Sequence, residues 1–436
     1  MLLPFTISLL FSIAASKEKT LRDILRRGAH GDEFKELNLL VQREYDGKDI
    51  QFEPTPSLPY IDEGATITTL NKAYSNVLFE GDIFVTRTQL RRLLRTGRRL
   101  SRQAIRTTSA LWIANSIPYS FASSINIYKR RSIMEAINFW QSQTCINFNE
   151  RKKETVYLHF IGNDDGCWST VGRDPSQKQQ LISIGNGCEP FGITSHEIGH
   201  AIGLFHQQSR YDRDNFVYLI PSRIPRHLMY NFAKASFREI NNYNLPYDIG
   251  SVMHYSPVEF TTVKGQPSLM AKDSNMQQTM GSLDGPSFLD VQIVNLHYKC
   301  HKKCPRGLNC INGGYTNPRN YCGGELKAEL EEKRMRVKIE KKNGWKMART
   351  CIYHIKAPEG KKISFNVMQV KGTCQHACPR ERIEFKVDMD PRPIGYRFCC
   401  SETKNRRFVS SSSTVPLIVN SVNEESFVEL TYRLDE

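Results

Sequence analysis

The first third of this 436-residue chain has no cysteine; the first of twelve is Cys145. A uniformly stapled fold is therefore excluded, and the N-terminal part differs chemically from the rest of the chain. There is no Asn-x-Ser/Thr sequon, which excludes N-linked glycans. After residue 16 no run is long and apolar enough to span a bilayer, which excludes an internal membrane-spanning helix. No repeat is present, and no low-complexity segment beyond SSSS at 410–413, which excludes a solenoid. The stretch RTQLRRLLRTGRRLSRQAIR, 87–106, has no acidic residue.

What is present is enough for real cores: hydrophobic residues make up 39% and aromatics 10%. The length calls for two or three domains. The first sixteen residues, MLLPFTISLLFSIAAS, are apolar, end in small residues and meet the charged KEK at once. They lack a basic n-region beyond the amino terminus. They are too short to span a bilayer and read as a secretory signal peptide, so a secreted, extracellular protein is expected. The even cysteine count permits full pairing in that oxidising setting. The formal charge of +15 raises nucleic-acid binding, but it is not spread as a binding face. The acid-free stretch reads instead as a processing site. Arg99 and Arg102 bracket a four-residue window, and cleavage between Arg102 and Gln103 is expected. In EEKRMRVKIEKKNGWK, 331–346, charged and apolar residues alternate as on a solvated strand face. Neither a nucleic-acid nor a membrane partner is expected.

Residues 17–102 are polar and end in the arginine cluster, the pattern of a propeptide. Residues 103–301 form a mixed α/β domain. Ile133, Ile137 and Trp140 share one helix face, Val156, Leu158 and Phe160 alternate as in a strand, and LISIG, 181–185, is a short strand closed by a turn. Residues 302–323 are dense in Cys, Gly, Asn and Pro and cannot hold a core without staples. Residues 324–436 alternate with period two, in the sets Ile363–Phe365–Val367, Ile383–Phe385–Val387–Met389 and Val428–Leu430–Tyr432–Leu434, which predicts an all-β sandwich.

The chemistry concentrates in HEIGHAIGLFHQQSR, 196–210. Positions four apart share a helix face, so His196 and His200 can hold one metal from adjacent turns. Glu197 lies one step round, beside the metal and not on it. Gly203 lets the chain leave helical geometry, so His206 can return as a third ligand. Three imidazoles leave one position open on a tetrahedral zinc, as in catalytic sites. A water there drops from a pKa of 15.7 to about 7, and Glu197 is placed to take its proton. Downstream, SVMHYS supplies Met253 and Tyr255 in the arrangement of a Met-turn.

HEIGHAIGLFH, SRYDRDNFV and SVMHY together resemble the astacin family of zinc metallopeptidases, as do LWIANSIPYSFA at 111–122 and GCWSTVGR at 166–173. The resemblance spans 103–300. It implies a metzincin α/β catalytic domain holding one zinc ion, with His196, His200 and His206 as ligands and Glu197 as general base. Tyr255 would be a movable ligand that stabilises the oxyanion, and Met253 would pack beneath the metal. Disulfides Cys145–Cys300 and Cys167–Cys188 are implied. FEGDIF, 79–84, resembles the family's latency motif, with Asp82 filling the open zinc position until cleavage near Arg102. Where the family usually has Glu at the position of Gln207, its carboxylate meets the ammonium of the mature terminus; here the acid is gone, and Gln207 is expected to face a cyclised, uncharged Gln103.

NCINGGY resembles an EGF-like module, degenerate because only Cys304, Cys310 and Cys322 stand where six are usual. CGGEL, RFCC and the alternating segments resemble a CUB domain. In that setting Cys322 would pair with Cys351, and Cys378 with Cys399 or Cys400. No calcium site can be placed, and none is expected. The expected function is a secreted zinc endopeptidase, made latent and activated by trimming. Its substrates would be proteins or peptides, extracellular matrix among them, often with an acidic residue just after the cut. The alternative is a catalytically weak matrix-binding protein acting through its CUB-like region.

Overall fold

The computed structural model describes residues 31–45, 66–85, 111–112, 116–162, 166–174, 177–234, 241–300, 323–339, 349–401, 403–421 and 424–435. The expected signal peptide at 1–16, the expected cleavage position Arg102–Gln103, and Cys304, Cys310 and Cys322 of the expected EGF-like segment lie outside them.

The catalytic region is built on five strands: β1 (Ser116–Phe121), β2 (Asn147–Glu150), β3 (Tyr157–Ile161), β4 (Cys167–Ser169) and β5 (Gln179–Ile184). They run in the order β2-β1-β3-β5-β4. All neighbours are parallel except β4, which runs antiparallel to β5 at the edge. Against this sheet lies a helix, Ile127–Gln143, begun by Asn126, whose side chain accepts from the N–H groups of Tyr128 and Lys129. Ile133, Ile137 and Trp140 are buried together in one apolar cluster, as their spacing predicts. An antiparallel pair, β6 (Val217–Leu219) and β7 (Leu269–Ala271), belongs to a second apolar cluster in the same region.

The helix that carries the first two histidines spans Phe191–Ala201, and every residue from Gly192 on is buried. Two indoles fix it: Trp140 Nε1 donates to Ser195 O and Trp112 Nε1 to Ala201 O. The second contact satisfies a carbonyl the helix end would otherwise leave open. A last helix, Phe288–His297, opens with a Ser287/Asp290 capping box. The Cys145–Cys300 and Cys167–Cys188 disulfides are both formed.

Among the described residues the C-terminal region is a sandwich of nine strands: β8 (Gly323–Lys327), β9 (Lys333–Ile339), β10 (Arg349–Lys356), β11 (Ile363–Lys371), β12 (Arg382–Phe385), β13 (Tyr396–Phe398), β14 (Arg406–Val409), β15 (Thr414–Ser421) and β16 (Ser426–Leu434). They form sheets ordered β13-β12-β15-β10-β8 and β14-β11-β16-β9 around one apolar cluster. In β9, Met335, Val337 and Ile339 are buried while the basic residues between them face outward, the expected solvated strand face. One alternating set ends early. Ile383, Phe385 and Val387 are buried, but β12 stops at Phe385 and Met389 is 74% exposed. Beyond Phe385 the chain leaves the regular ladder: Val387 O accepts from Ser411 N of a bend instead, and Met389 lies past that last contact. The disulfides are Cys378–Cys399 and Cys374–Cys400, which decides between the two expected partners of Cys378. Cys351 is also disulfide-bonded; Cys322, its expected partner, is outside the described residues.

The sandwich is joined to the catalytic region by polar contacts. Asp248 Oδ1 accepts from Ile394 N at 3.1 Å, Thr279 Oγ1 donates to Gly395 O at 3.0 Å, and Arg397 Nη1 reaches Ser282 Oγ at 2.9 Å and Asp284 Oδ2 at 3.1 Å. Arg382 Nη1 adds a second contact to Asp284 Oδ2 at 2.8 Å.

Candidate metal centre

His196 and His200 project from adjacent turns of the Phe191–Ala201 helix, as a four-residue spacing requires. The helix then stops. Gly203 takes φ +109°, a conformation side-chain-bearing residues rarely adopt, and the chain turns back to bring in His206. The imidazole centroids lie 4.6–5.2 Å apart, and all three side chains are buried.

Each ring has its Nδ1 engaged. His196 Nδ1 donates to Val252 O at 2.7 Å, His200 Nδ1 to Leu204 O at 2.8 Å, and His206 Nδ1 to Glu80 Oε2 at 2.7 Å. Those bonds set the tautomer and turn all three Nε2 atoms inward, the outer-shell arrangement typical of metal-ligating histidines. The fourth group is Asp82. Its Oδ2 is 3.2 Å from both His196 Nε2 and His206 Nε2, and its Oδ1 is 3.4 Å from His200 Nε2. The four ligand atoms fall within 4.8 Å of one another, and His200 Nε2 has no hydrogen-bond partner. A buried set of three inward nitrogens and one carboxylate fits a zinc ion.

Electrostatics follow from this crowding. Burial raises the Asp82 pKa, but His206, His196 and His200 outweigh it and hold the carboxyl well below its usual range. Burial lowers His206, yet Asp82 and Glu80 beside it push it up to about 10. Glu197 is the opposite case. Burial first, then the Asp82 charge, holds its carboxyl well above the usual range, and neither oxygen has a hydrogen-bond partner. The Tyr255 hydroxyl is also buried without a partner, with its ring 5.0 Å from that of His206.

The Met-turn lies under the helix. A Cβ on Gly199 would meet Met253 Sδ at 3.0 Å, so the glycine makes room for the methionine. Asp290 fastens the turn: it accepts from Ser251 Oγ at 2.6 Å and Val252 N at 3.0 Å. The two glutamines after His206 tie that loop to the same turn. Gln207 N donates to Met253 O at 2.7 Å, and Gln208 Oε1 accepts from Tyr255 N at 3.0 Å. Gln103, the expected neighbour of Gln207, is outside the described residues.

Asp82 reaches the histidines from a small closed turn, with paired hydrogen bonds between Phe79 and Ile83, each 2.9 Å. Ile83 bridges β4 in parallel at Ser169, and Asp82 O accepts from Ser169 N at 3.0 Å, so the segment occupies the sheet's free edge. Asn71 extends that pairing: its side chain accepts from Cys167 N and donates to Gly81 O and Cys167 O. Gly81 takes φ +79°, and a Cβ there would strike Thr68. Upstream, the helix Gly31–Tyr45 packs on residues 226–232. Phe34 stacks on Tyr230 at 4.8 Å, and Asn38 and Gln42 both donate to Arg226 O.

Sequence reasoning missed Glu80, Asn71, Asp290 and Glu259. The signal for Glu80 was within reach, since FEGDIF carries two acids and only one can enter the histidine triangle. Glu259 Oε1 accepts from Ser256 Oγ at 3.0 Å, and its Oε2 accepts from Thr66 Oγ1 at 3.1 Å and from Thr68 Oγ1.

The family model described as Astacin, a peptidase family, matches residues 104–299. The chain is 40% identical to the zinc metalloproteinase nas-29 of Caenorhabditis elegans, over 94% of this chain and 86% of that one. Among solved structures it is similar to high choriolytic enzyme 1, a hatching enzyme zinc-protease from Oryzias latipes, at 32% identity. That match covers 45% of this chain and 99% of the other, with a TM-score of 0.42. The CUB1-EGF-CUB2 domains of rat MASP-1 match at 17% identity and a TM-score of 0.20, over 26% of this chain and 43% of the other. With its zinc-fitting cluster of three histidines and one aspartate, and this identity along its length, the chain belongs to the astacin family of zinc metalloendopeptidases.

Proposed function

We propose that this zinc endopeptidase is secreted and held latent by its own N-terminal segment, residues 17–102, until cleavage near Arg102. The observation that carries this reading is the Asp82 carboxylate, buried within 3.2–3.4 Å of all three histidine Nε2 atoms. A carboxylate in that place displaces the water that hydrolysis needs. The propeptide is also paired along the β4 edge, where an extended substrate would add as a strand.

His196, His200 and His206 hold the zinc, which when bound supplies a Lewis acid for the peptide carbonyl and lowers the pKa of water. After Asp82 leaves, Glu197 accepts the proton of the attacking water and returns it to the leaving amine. Its unpartnered oxygens support this role, since no protein group competes for the proton. The Tyr255 hydroxyl, equally unpartnered, donates a hydrogen bond to the oxyanion, a contribution of several kcal/mol where such a donor is preorganised. Met253 shapes the floor without binding the metal. The alternative of a weakly catalytic matrix binder is disfavoured by the intact set of Glu197, Tyr255 and three histidines.

The test compares processed wild type, processed Glu197→Ala and processed wild type with a chelator on a peptide mixture. Wild type is expected to cleave, and the other two to fall by roughly 10²–10⁴-fold or more. Equal cleavage by all three would end the reading. The unprocessed Asp82→Ala chain is expected to cleave the same mixture; its silence would remove the aspartate switch.

A further inference from the structure

A cavity of about 200 Å³ opens beside the histidine triangle, reaching from Tyr255 past Ser256 to Glu259. Its far side is lined by Gln375, His376 and Pro379 of the C-terminal sandwich. That wall is fixed in place. The Cys374–Cys400 and Cys378–Cys399 disulfides staple the loop, and the Arg397 contacts to Ser282 and Asp284 hold the sandwich to the catalytic region.

The floor of this cavity is acidic. Glu259 is only 5% exposed, and the described residues lining the cavity include no lysine or arginine. In the latent chain its Oε2 is satisfied by Thr66 and Thr68, both from the propeptide. Ser256 alone, on Oε1, belongs to the catalytic region. Departure of the propeptide removes both donors to Oε2. Once those residues leave, the carboxylate faces the vacated cavity with Ser256 as its remaining side-chain donor, and of the donors a substrate can bring, a cation restores most.

We propose that, once the propeptide has left, Glu259 is the specificity-determining residue of this pocket and selects substrate chains that place a lysine or arginine there, with residues 375–379 as the pocket's far wall. The inference rests on the endopeptidase reading. It also runs against the family expectation: an acidic substrate side chain is repelled from this pocket. The propeptide threonines imitate the hydrogen bonds of such a substrate without its charge.

The experiment uses processed full-length chain and peptide pools that differ at one position, carrying Lys, Arg, Ala or Glu, with cut sites read by mass spectrometry. One position near the cut is expected to favour Lys and Arg over Ala, and to reject Glu. The Lys-to-Ala preference in kcat/KM should fall roughly ten- to hundredfold in Glu259→Gln, matching a lost charged hydrogen bond. Glu259→Lys should turn the preference toward Glu. Gln375→Lys, which sets a cation in the far wall, should weaken the basic preference as well. A wild type that cuts without basic enrichment, or an unchanged profile in Glu259→Gln, overturns the pocket; an unchanged profile in Gln375→Lys removes the sandwich from it. A binding arm separates this from the endopeptidase reading. Processed Glu197→Ala is titrated with fluorescent Lys and Ala peptides, with and without Glu259→Gln. A Lys preference that Glu259→Gln abolishes supports the pocket even if no pool is cut, whereas equal affinities overturn it.

Discussion

The metal cleft and the seam between the two domains both bury several charges, but they treat them differently. In the cleft, Glu197 has no partner for either oxygen, the Tyr255 hydroxyl has none, and Asp82 holds the place of a ligand. At the seam, Glu384 receives Lys386 Nζ at 2.8 Å, Arg397 Nε at 3.0 Å and Gly395 N at 3.1 Å, and Arg397 also reaches Asp284. Pairing at this density is an adhesive. Polar groups left unpartnered are held ready for something that comes from outside.

The comparison breaks most sharply by deleting one ionisable group from each site. Arg397→Ala strips Glu384 and Asp284 of a buried cation and is expected to destabilise by roughly 3–5 kcal/mol, seen as a lower thermal transition. Glu197→Gln replaces a buried carboxyl that has no hydrogen-bond partner and that burial and Asp82 already push toward its neutral form, so the transition should hold or rise while peptide cleavage collapses. Both proteins need only a melting curve and a cleavage assay. If Glu197→Gln lost as much stability as Arg397→Ala, the contrast between the two sites would be wrong.

Acid should separate the sites as well. Burial raises Glu384, but Lys386, Arg397 and Arg382 overcome it and leave its carboxyl well below the ordinary value. A depressed carboxylate contributes stability in full above its unfolded pKa of about 4.3, and that contribution is lost as pH falls further. Glu384→Gln should therefore be less stable than wild type near neutrality, with the gap closing below about pH 4. Melting curves from pH 3 to 7 would show a constant gap if the network carried no charge coupling.

How much of this was legible beforehand follows the same divide. His196, His200, His206 and Glu197 could be named because helix pitch and a glycine stop are local rules, written within a few residues; Met253 was named through the Met-turn motif, and Tyr255 took its role from the family resemblance. Asp82 could be named only through its family motif. Glu259, Asn71 and Glu80 escaped because their partners are distant in sequence: Thr66 is 193 residues from Glu259, and Asn71 is 96 from Cys167. The sandwich's alternation was readable strand by strand. Its disulfide pairing was not, since adjacent Cys399 and Cys400 look alike in sequence and differ only in the partner each meets, Cys378 for one and Cys374 for the other.

Asp290 stands between the two kinds of site and gives the mildest test. It is buried, receives Ser251 Oγ, Val252 N and Ser287 N, and burial with nearby Asp248 pushes its pKa up to about 6. Its hydrogen bonds are satisfied although no cation is among its donors. Ser287→Ala would remove the hydroxyl that accepts from Asp290 N at the helix start, while leaving all three of those donors in place. A lost cap of this kind costs about 1 kcal/mol. Stability should fall by that amount, and cleavage should stay within a few-fold of wild type, because Asp290 still holds the Met-turn beneath the histidines. A large loss of cleavage with a small loss of stability would mean that the cap itself positions the turn, and that the metal cleft depends on the last helix more closely than its hydrogen bonds indicate.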